Sequence, residues 1–146
     1  MSAPGRPEAT SPAALARRGD LADALRLYLV SDLERCPRDR FLALLPDLVE
    51  AGVSMVQLRD KASSTRELVR FARALKDALG PRGVPLIVND RADVAFAAGA
   101  DGVHVGRSDL APGEARRLLG PDAIIGASVE SMTPAELEAA READYL

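Results

Sequence analysis

The chain has 146 residues, 47% of them hydrophobic and 28% charged, which suits one globular domain with a real core and excludes a disordered chain. Its net charge of −3 excludes a general nucleic-acid surface, since no basic excess is available to neutralise phosphates, although local basic sites remain open. Cys36 is the one cysteine, so an intramolecular disulfide and a cysteine-built metal site are excluded. No apolar run approaches the ~18 residues needed to cross a bilayer. The opening segment MSAPGRPEATSPAALARRGD lacks the apolar stretch of a secretory signal. A cytoplasmic protein with no membrane partner is expected.

Residues 1–24 are rich in Ala, Pro, Arg and Ser and read as a mobile leader, with a short helix allowed from Ala13 to Ala24. From residue 25 to 146 the pattern is regular: short β-type runs alternate with segments of helical period, the signature of a parallel sheet with crossover helices. The first strand is read at Leu27–Val30. A helix follows from about Arg40 to Ala51, with Phe41, Leu44, Leu45, Leu48 and Val49 on one side. Pro46 predicts a kink there, or a start near Leu45. The second strand is read at Val53–Leu58, and Ser64 or Thr65 caps a helix reaching Leu79. Val84–Val88 is a third strand, apolar as if covered on both faces. Arg91–Ala98 reads as a short helix, Gly102–Val105 as a fourth strand and Pro112–Leu119 as a helix. Ala123–Ile125 is a fifth strand, and Thr133-Pro134 opens another helix. Tyr145-Leu146 begins a sixth strand. The fold class is therefore α/β: part of a triosephosphate-isomerase-type (β/α)₈ barrel, with about five βα units and the start of a sixth strand. An open doubly wound sheet is the alternative.

The segments EAGVSMVQLRD, AAGADGVHVGR and READYL echo one another, as βα repeats do. More informative is where the chemically capable side chains fall. Gln57, Arg59 and Lys61 follow strand two; Asn89 and Asp90 follow strand three. His104, Gly106 and Asp109 lie at the end of strand four, and Ser128 follows strand five. That is the edge at which α/β proteins bind ligands. Met55, Gln57 and Arg59 alternate with Val56 and Leu58, so they share a face that looks into the barrel mouth if Val56 and Leu58 meet the helices. A solvent-exposed charged turn is the plainer reading of Arg59-Asp60-Lys61. Arg59 and Lys61 supply positive charge suited to a phosphate. Asp90 and Asp109 could share one cation, with phosphate oxygens and water completing a Mg²⁺ shell, or each could simply cap the helix that follows it. His104, the one histidine, reads as a packed, hydrogen-bonded residue rather than a catalytic one. Cys36 has no evident base beside it.

The blocks Gln57-Leu-Arg59-Asp-Lys61, Val88-Asn89-Asp90-Arg91, Gly102-Val-His-Val-Gly106-Arg-Ser-Asp109 and Ile125-Gly126-Ala-Ser128 resemble, in order and spacing, the successive motifs of thiamine-phosphate synthases. The resemblance runs from about Leu27 to Leu146. It implies a Mg²⁺-dependent transferase joining 4-amino-2-methyl-5-hydroxymethylpyrimidine diphosphate to a thiazole phosphate, with release of pyrophosphate. It assigns Mg²⁺ to Asp90 and Asp109, pyrophosphate to Arg59, Lys61, Asn89 and Ser128, and the pyrimidine to Gln57. Arg59 and Lys61 would be the catalytic cations.

The chain departs from that pattern in three places. Val129-Glu130-Ser131 stands where the family commonly has a small residue and a histidine, so Glu130 adds negative charge near a phosphate site. Glu142 replaces a glycine before Ala143-Asp144-Tyr145. The family's Thr-Pro-Thr-Lys-type loop and its last phosphate-binding glycines have no counterpart among these residues. The chain alone is therefore expected to be weak or inactive, or to assemble as a homo-oligomer or with a complementary chain. A thiazole tautomerase-like barrel and a non-catalytic remnant are the alternatives to a synthase.

Overall fold

In the runs that form strands, side chains that pack on helices alternate with side chains that do not. Val56 and Leu58, Leu86 and Val88, Val103 and Val105, and Ile125 and Ala127 all join one buried cluster with helix residues such as Leu68, Phe71, Leu75 and Ala115. Met55 and Ile87 on the opposite faces are fully buried yet lie outside that cluster. The alternation assigns one face of the sheet to the helices and the other to the barrel interior. Burying each large apolar side chain on the helical side contributes about 1.5–3 kcal/mol.

These relationships come from a computed structural model that describes residues 20–146. Strands β1 (Tyr28–Val30), β2 (Met55–Leu58), β3 (Leu86–Asn89), β4 (Gly102–Val105) and β5 (Ile124–Ala127) alternate with helices α1 (Arg38–Glu50), α2 (Thr65–Leu79), α3 (Ala92–Ala98), α4 (Pro112–Leu119) and α5 (Pro134–Ala139). All neighbouring strands are parallel, and their spatial order is β1-β2-β3-β4-β5. A doubly wound sheet needs a point at which the strand order reverses. This sheet has none, so the alternative of a doubly wound sheet is set aside in favour of a (β/α)₈-type arrangement. Tyr145 forms a parallel bridge to Gly126, where a sixth strand begins.

Ser64 caps α2: its hydroxyl accepts from Glu67 N, and the Glu67 carboxylate accepts from Ser64 N at 3.0 Å. Thr133 caps α5 by accepting from Glu136 N at 3.3 Å, with Pro134 in the first helical position. Helix α1 corrects the sequence reading. It starts at Arg38 rather than near Arg40 or Leu45, and it continues through Pro46. Phe41 and Leu45, both buried in the turn ahead of the proline, hold it in the core cluster despite the missing donor.

Of the short helix expected over Ala13–Ala24, residues 20–24 are helical and the others lie outside the described residues, as does most of the expected leader. Among the described residues no helix is long and apolar enough to cross a membrane.

Candidate active site

Asn89 and Asp90 close β3 with a tight turn. Arg91 N donates to Asn89 O at 2.7 Å, and Asp90 N donates across to His104 O of β4 at 2.8 Å. Asp90 adopts φ 62°, a left-handed conformation that an aspartate tolerates better than most residues but still at a cost. On the neighbouring loop, Asp109 Oδ2 accepts from Gly106 N at 2.8 Å, which folds the carboxylate back toward the end of β4.

The two carboxyl groups meet. Burial, the Asp109 charge and a side-chain hydrogen bond to Asp109 together push the Asp90 carboxyl above its ordinary range; Lys61 and Asn89 pull it the other way. The capping alternative does not hold for either aspartate. The residue that caps α3 is Arg91 and the one that caps α4 is Ala111.

Lys61 thus lies close enough to act on the acidic pair. Arg59 is fixed through its backbone: Ser31 Oγ accepts from Arg59 N at 2.9 Å and donates to Arg59 O at 3.1 Å. Ser31 is buried at the end of β1, so it locks Arg59 as the chain leaves the sheet. The Arg59 and Lys61 residues themselves are exposed.

Gln57, His104 and Ser128 belong to a second group, lying across the barrel interior. Gln57 Nε2 donates to the Tyr28 hydroxyl at 2.7 Å, which shares a hydrogen with the Tyr145 hydroxyl at 2.7 Å. Tyr145 reaches His104 Nδ1 at 3.2 Å, and His104 Nε2 meets Ser128 Oγ at 2.8 Å. The chain of contacts Gln57–Tyr28–Tyr145–His104–Ser128 links strands β1, β2, β4, the end of β5 and the sixth strand.

Burial pushes the His104 pKa down, against the nearby Asp90 charge, so the ring is held neutral and the relay carries no charge of its own. Burial also raises both tyrosines above the ordinary phenol value. Gly126 makes the arrangement possible. A Cβ there would stand 2.2 Å from the Tyr145 ring and 2.5 Å from His104 Nδ1.

The structure therefore sorts the residues read from sequence into two adjacent sets. Asp109, Lys61 and Asn89 all act on the Asp90 carboxyl, Asp109 and Asn89 by hydrogen bonding and Lys61 by its charge. Gln57 and Ser128 sit at the two ends of the relay, and His104 is packed and hydrogen-bonded as expected. Arg59 has its backbone held beside Lys61, and no side-chain contact ties it to either set. Sequence reasoning missed Tyr28 and Tyr145, which are 117 positions apart. The period-two face containing Tyr28, two residues before Val30 and in register with Met55, was the available signal for one of them.

Glu130 does not face the acidic pair as an uncompensated charge. Its carboxylate accepts from Arg107 Nη1 at 2.7 Å, and Arg107 also lies 3.6 Å from Glu136. Glu142 occupies space left by Gly113, where a Cβ would come within 2.8 Å of its carboxylate. A cavity of about 340 Å³ opens beside Asp109 and Ser128, between the ends of β4 and β5 and helices α4 and α5.

The donor chemistry at Asp90 and Asp109 fits a hard divalent cation. The Asp90 carboxyl, raised by burial and by the Asp109 charge, would be relieved by a positive ion between the two, and oxygen donors suit Mg²⁺. Among the described residues no group of three or more His, Cys, Asp or Glu side chains could hold a metal ion. The pair would therefore leave positions for oxygens of a bound ligand and water.

Comparison with known proteins gives the family and the fold. A family model described as thiamine monophosphate synthase matches residues 27–146. The thiamine-phosphate synthase of Albidiferax ferrireducens is 50% identical over 124 residues, covering 84% of this chain and 56% of that protein. That of Azorhizobium caulinodans is 48% identical over 122 residues, covering 84% of this chain and 58% of the relative. The solved thiamine phosphate pyrophosphorylase from Pyrococcus furiosus superposes with a TM-score of 0.74 at 35% identity, over 86% of this chain and 60% of that one. The chain thus spans somewhat more than half the length of these relatives. On the match to residues 27–146 and the shared fold, it belongs to the thiamine monophosphate synthase family.

Proposed function

We propose that this chain contributes the cation and pyrophosphate half of a thiamine-phosphate synthase site. Its reaction would be displacement of pyrophosphate from hydroxymethylpyrimidine diphosphate by the nitrogen of a thiazole phosphate. The observation that carries this reading is that the charge and hydrogen bonding of Asp109 raise the Asp90 carboxyl while Lys61 acts on the same group from the opposite sign, beside the turn that closes β3. A lysine beside two carboxylates at the C-terminal edge of the sheet matches a site for a metal-bound polyphosphate.

In this reading Asp90 and Asp109 hold Mg²⁺, which when bound would supply charge stabilisation to the departing pyrophosphate. Arg59, Lys61, Asn89 and Ser128 bind that pyrophosphate and keep it oriented, Arg59 through its planar fork and Lys61 as a point charge. Gln57 orients the pyrimidine from the end of the tyrosine relay. The amino-pyrimidine can carry positive charge at its methylene carbon, so the C–O bond can break before the thiazole nitrogen attacks. The protein's work is then stabilising the leaving group and aligning two rings, with little acid–base chemistry. The neutral, hydrogen-bonded His104 is consistent with that division of labour. Cytoplasmic residence fits a biosynthetic enzyme whose one cysteine, Cys36, is free.

The test is binding. Folded chain is expected to bind pyrophosphate in the presence of Mg²⁺, with an affinity that Lys61→Ala lowers, and to form little or no thiamine phosphate from both substrates on its own, measured by mass spectrometry. Ready product formation by the chain alone would defeat the half-site reading. Failure to bind Mg²⁺ or pyrophosphate would defeat the whole of it.

A further inference from the structure

Between the two cations assigned to pyrophosphate stands an acidic residue, Asp60, and its surroundings are unlike theirs. Its side chain is 5% exposed. Both carboxylate oxygens are fully engaged. Oδ1 accepts from Ala62 N at 3.0 Å and from Ser63 N at 3.1 Å. Oδ2 accepts from Ser63 Oγ at 2.6 Å and from Arg38 Nη2 at 2.9 Å. Arg38 opens α1, also bonds the Ser63 hydroxyl, and lays its guanidinium 5.6 Å over the ring of buried Phe71 on α2.

The turn from Asp60 to Ser63 is therefore tied to α1 through Arg38 and leads directly into the Ser64 cap of α2. On the other side of Lys61's neighbour, Ser31 fixes the backbone of Arg59. The two exposed cations project from a backbone clamped at both ends.

We propose that Asp60, with Arg38, is a positioning residue: the pair sets the β2–α2 turn so that Arg59 and Lys61 present their charges together to an anion. This rests on the pyrophosphate reading above. The charge of Asp60 opposes such a role only on paper, because Arg38 pairs with it at 2.9 Å and the side chain is buried. Order in the turn reduces the entropy lost when the two long side chains engage a ligand.

The sign of the effect separates this role from plain electrostatics. Deleting a negative charge beside a polyanion site should strengthen anion binding if charge alone matters. If position matters, Asp60→Ala weakens Mg²⁺-dependent pyrophosphate binding by about tenfold or more. Asp60→Asn keeps an oxygen for the Ala62 and Ser63 amides but gives up the Arg38 pair, and is expected to fall between the unaltered chain and Asp60→Ala. Titration calorimetry with Mg²⁺ and pyrophosphate is run on the full chain and both variants, alongside amide hydrogen exchange at Ala62 and Ser63. Faster exchange at those amides in Asp60→Ala, together with weaker binding, supports the proposal. Unchanged exchange, or faster exchange with unchanged or tighter binding, overturns it. Absence of pyrophosphate binding by the unaltered chain overturns the pyrophosphate reading itself and takes the positioning role with it. The exchange data still report whether Asp60 orders the turn.

Discussion

The carboxylate of Asp144 accepts the backbone N–H of Ile125 at 2.7 Å, so a residue ahead of the sixth strand completes the start of β5. Arg116 of α4 holds the same oxygen at 2.8 Å. Two βα units earlier, Asp101 ahead of β4 accepts from Leu86 N of β3 at 2.8 Å and pairs with Lys76 of α2. Ahead of β2, Ser54 Oγ accepts from Leu27 N at 2.9 Å, just before β1. The echo among AGVSMV, AGADGV and READYL thus has a physical cause: an acceptor before each even-numbered strand caps the strand beside it.

Asp101→Ala removes an acceptor for a strand amide and the partner of Lys76. It is expected to destabilise the fold by about 1–3 kcal/mol, because a partly buried N–H is left unpaired. Asp101→Asn, which keeps an oxygen, should recover part of that loss. Chemical denaturation of both variants measures it.

Asp90→Asn should stabilise the metal-free chain while removing a carboxylate proposed to hold Mg²⁺. A carboxyl whose folded pKa is raised contributes stability that is complete below its unfolded pKa and is lost as pH rises through the folded value. At neutral pH the ionised Asp90 is therefore a cost, and asparagine removes it while tolerating the left-handed backbone. The expected result is a higher melting temperature without metal, and Mg²⁺ affinity lower by more than about tenfold. By the same sign, Mg²⁺ binding by the unaltered chain strengthens as pH rises and Asp90 ionises.

The two tyrosines of the chain, Tyr28 and Tyr145, share one hydrogen bond and are both raised above the usual phenol value by burial. Their contribution to stability is complete below the unfolded pKa and is lost as pH climbs toward the folded values. Ultraviolet titration should find tyrosinate in the folded chain only above the ordinary phenol range, with ionisation of both residues accompanied by unfolding. Ordinary titration of either tyrosine near 10 in folded protein would contradict the relay.

Much of this was readable in the residues. The strand faces followed from Val56 and Leu58 alternating with Met55 and Gln57, and the caps at Ser64 and Thr133 followed from side-chain chemistry. The boundaries that moved did so for local reasons. Strand β3 begins at Leu86 rather than Val84 because Pro85 has no amide to give the ladder. Strand β5 extends past Ile125 through Gly126, a weak strand former that is used because a side chain there would strike Tyr145 and His104. The acidic pair could be suspected from positions at neighbouring strand ends. What no local pattern carries is closure in space: Tyr28 meeting Tyr145, Arg38 reaching Asp60, and Arg107 taking up the charge of Glu130.

The central claim is a metal-dependent pyrophosphate site at Asp90, Asp109, Arg59 and Lys61, and calorimetric titration of pyrophosphate with and without Mg²⁺ tests it most directly. The account predicts binding that requires Mg²⁺, is lost in Asp109→Asn and falls by about tenfold or more in Lys61→Ala. Pyrophosphate binding that is absent, or that is indifferent to Mg²⁺ and to both substitutions, would contradict it.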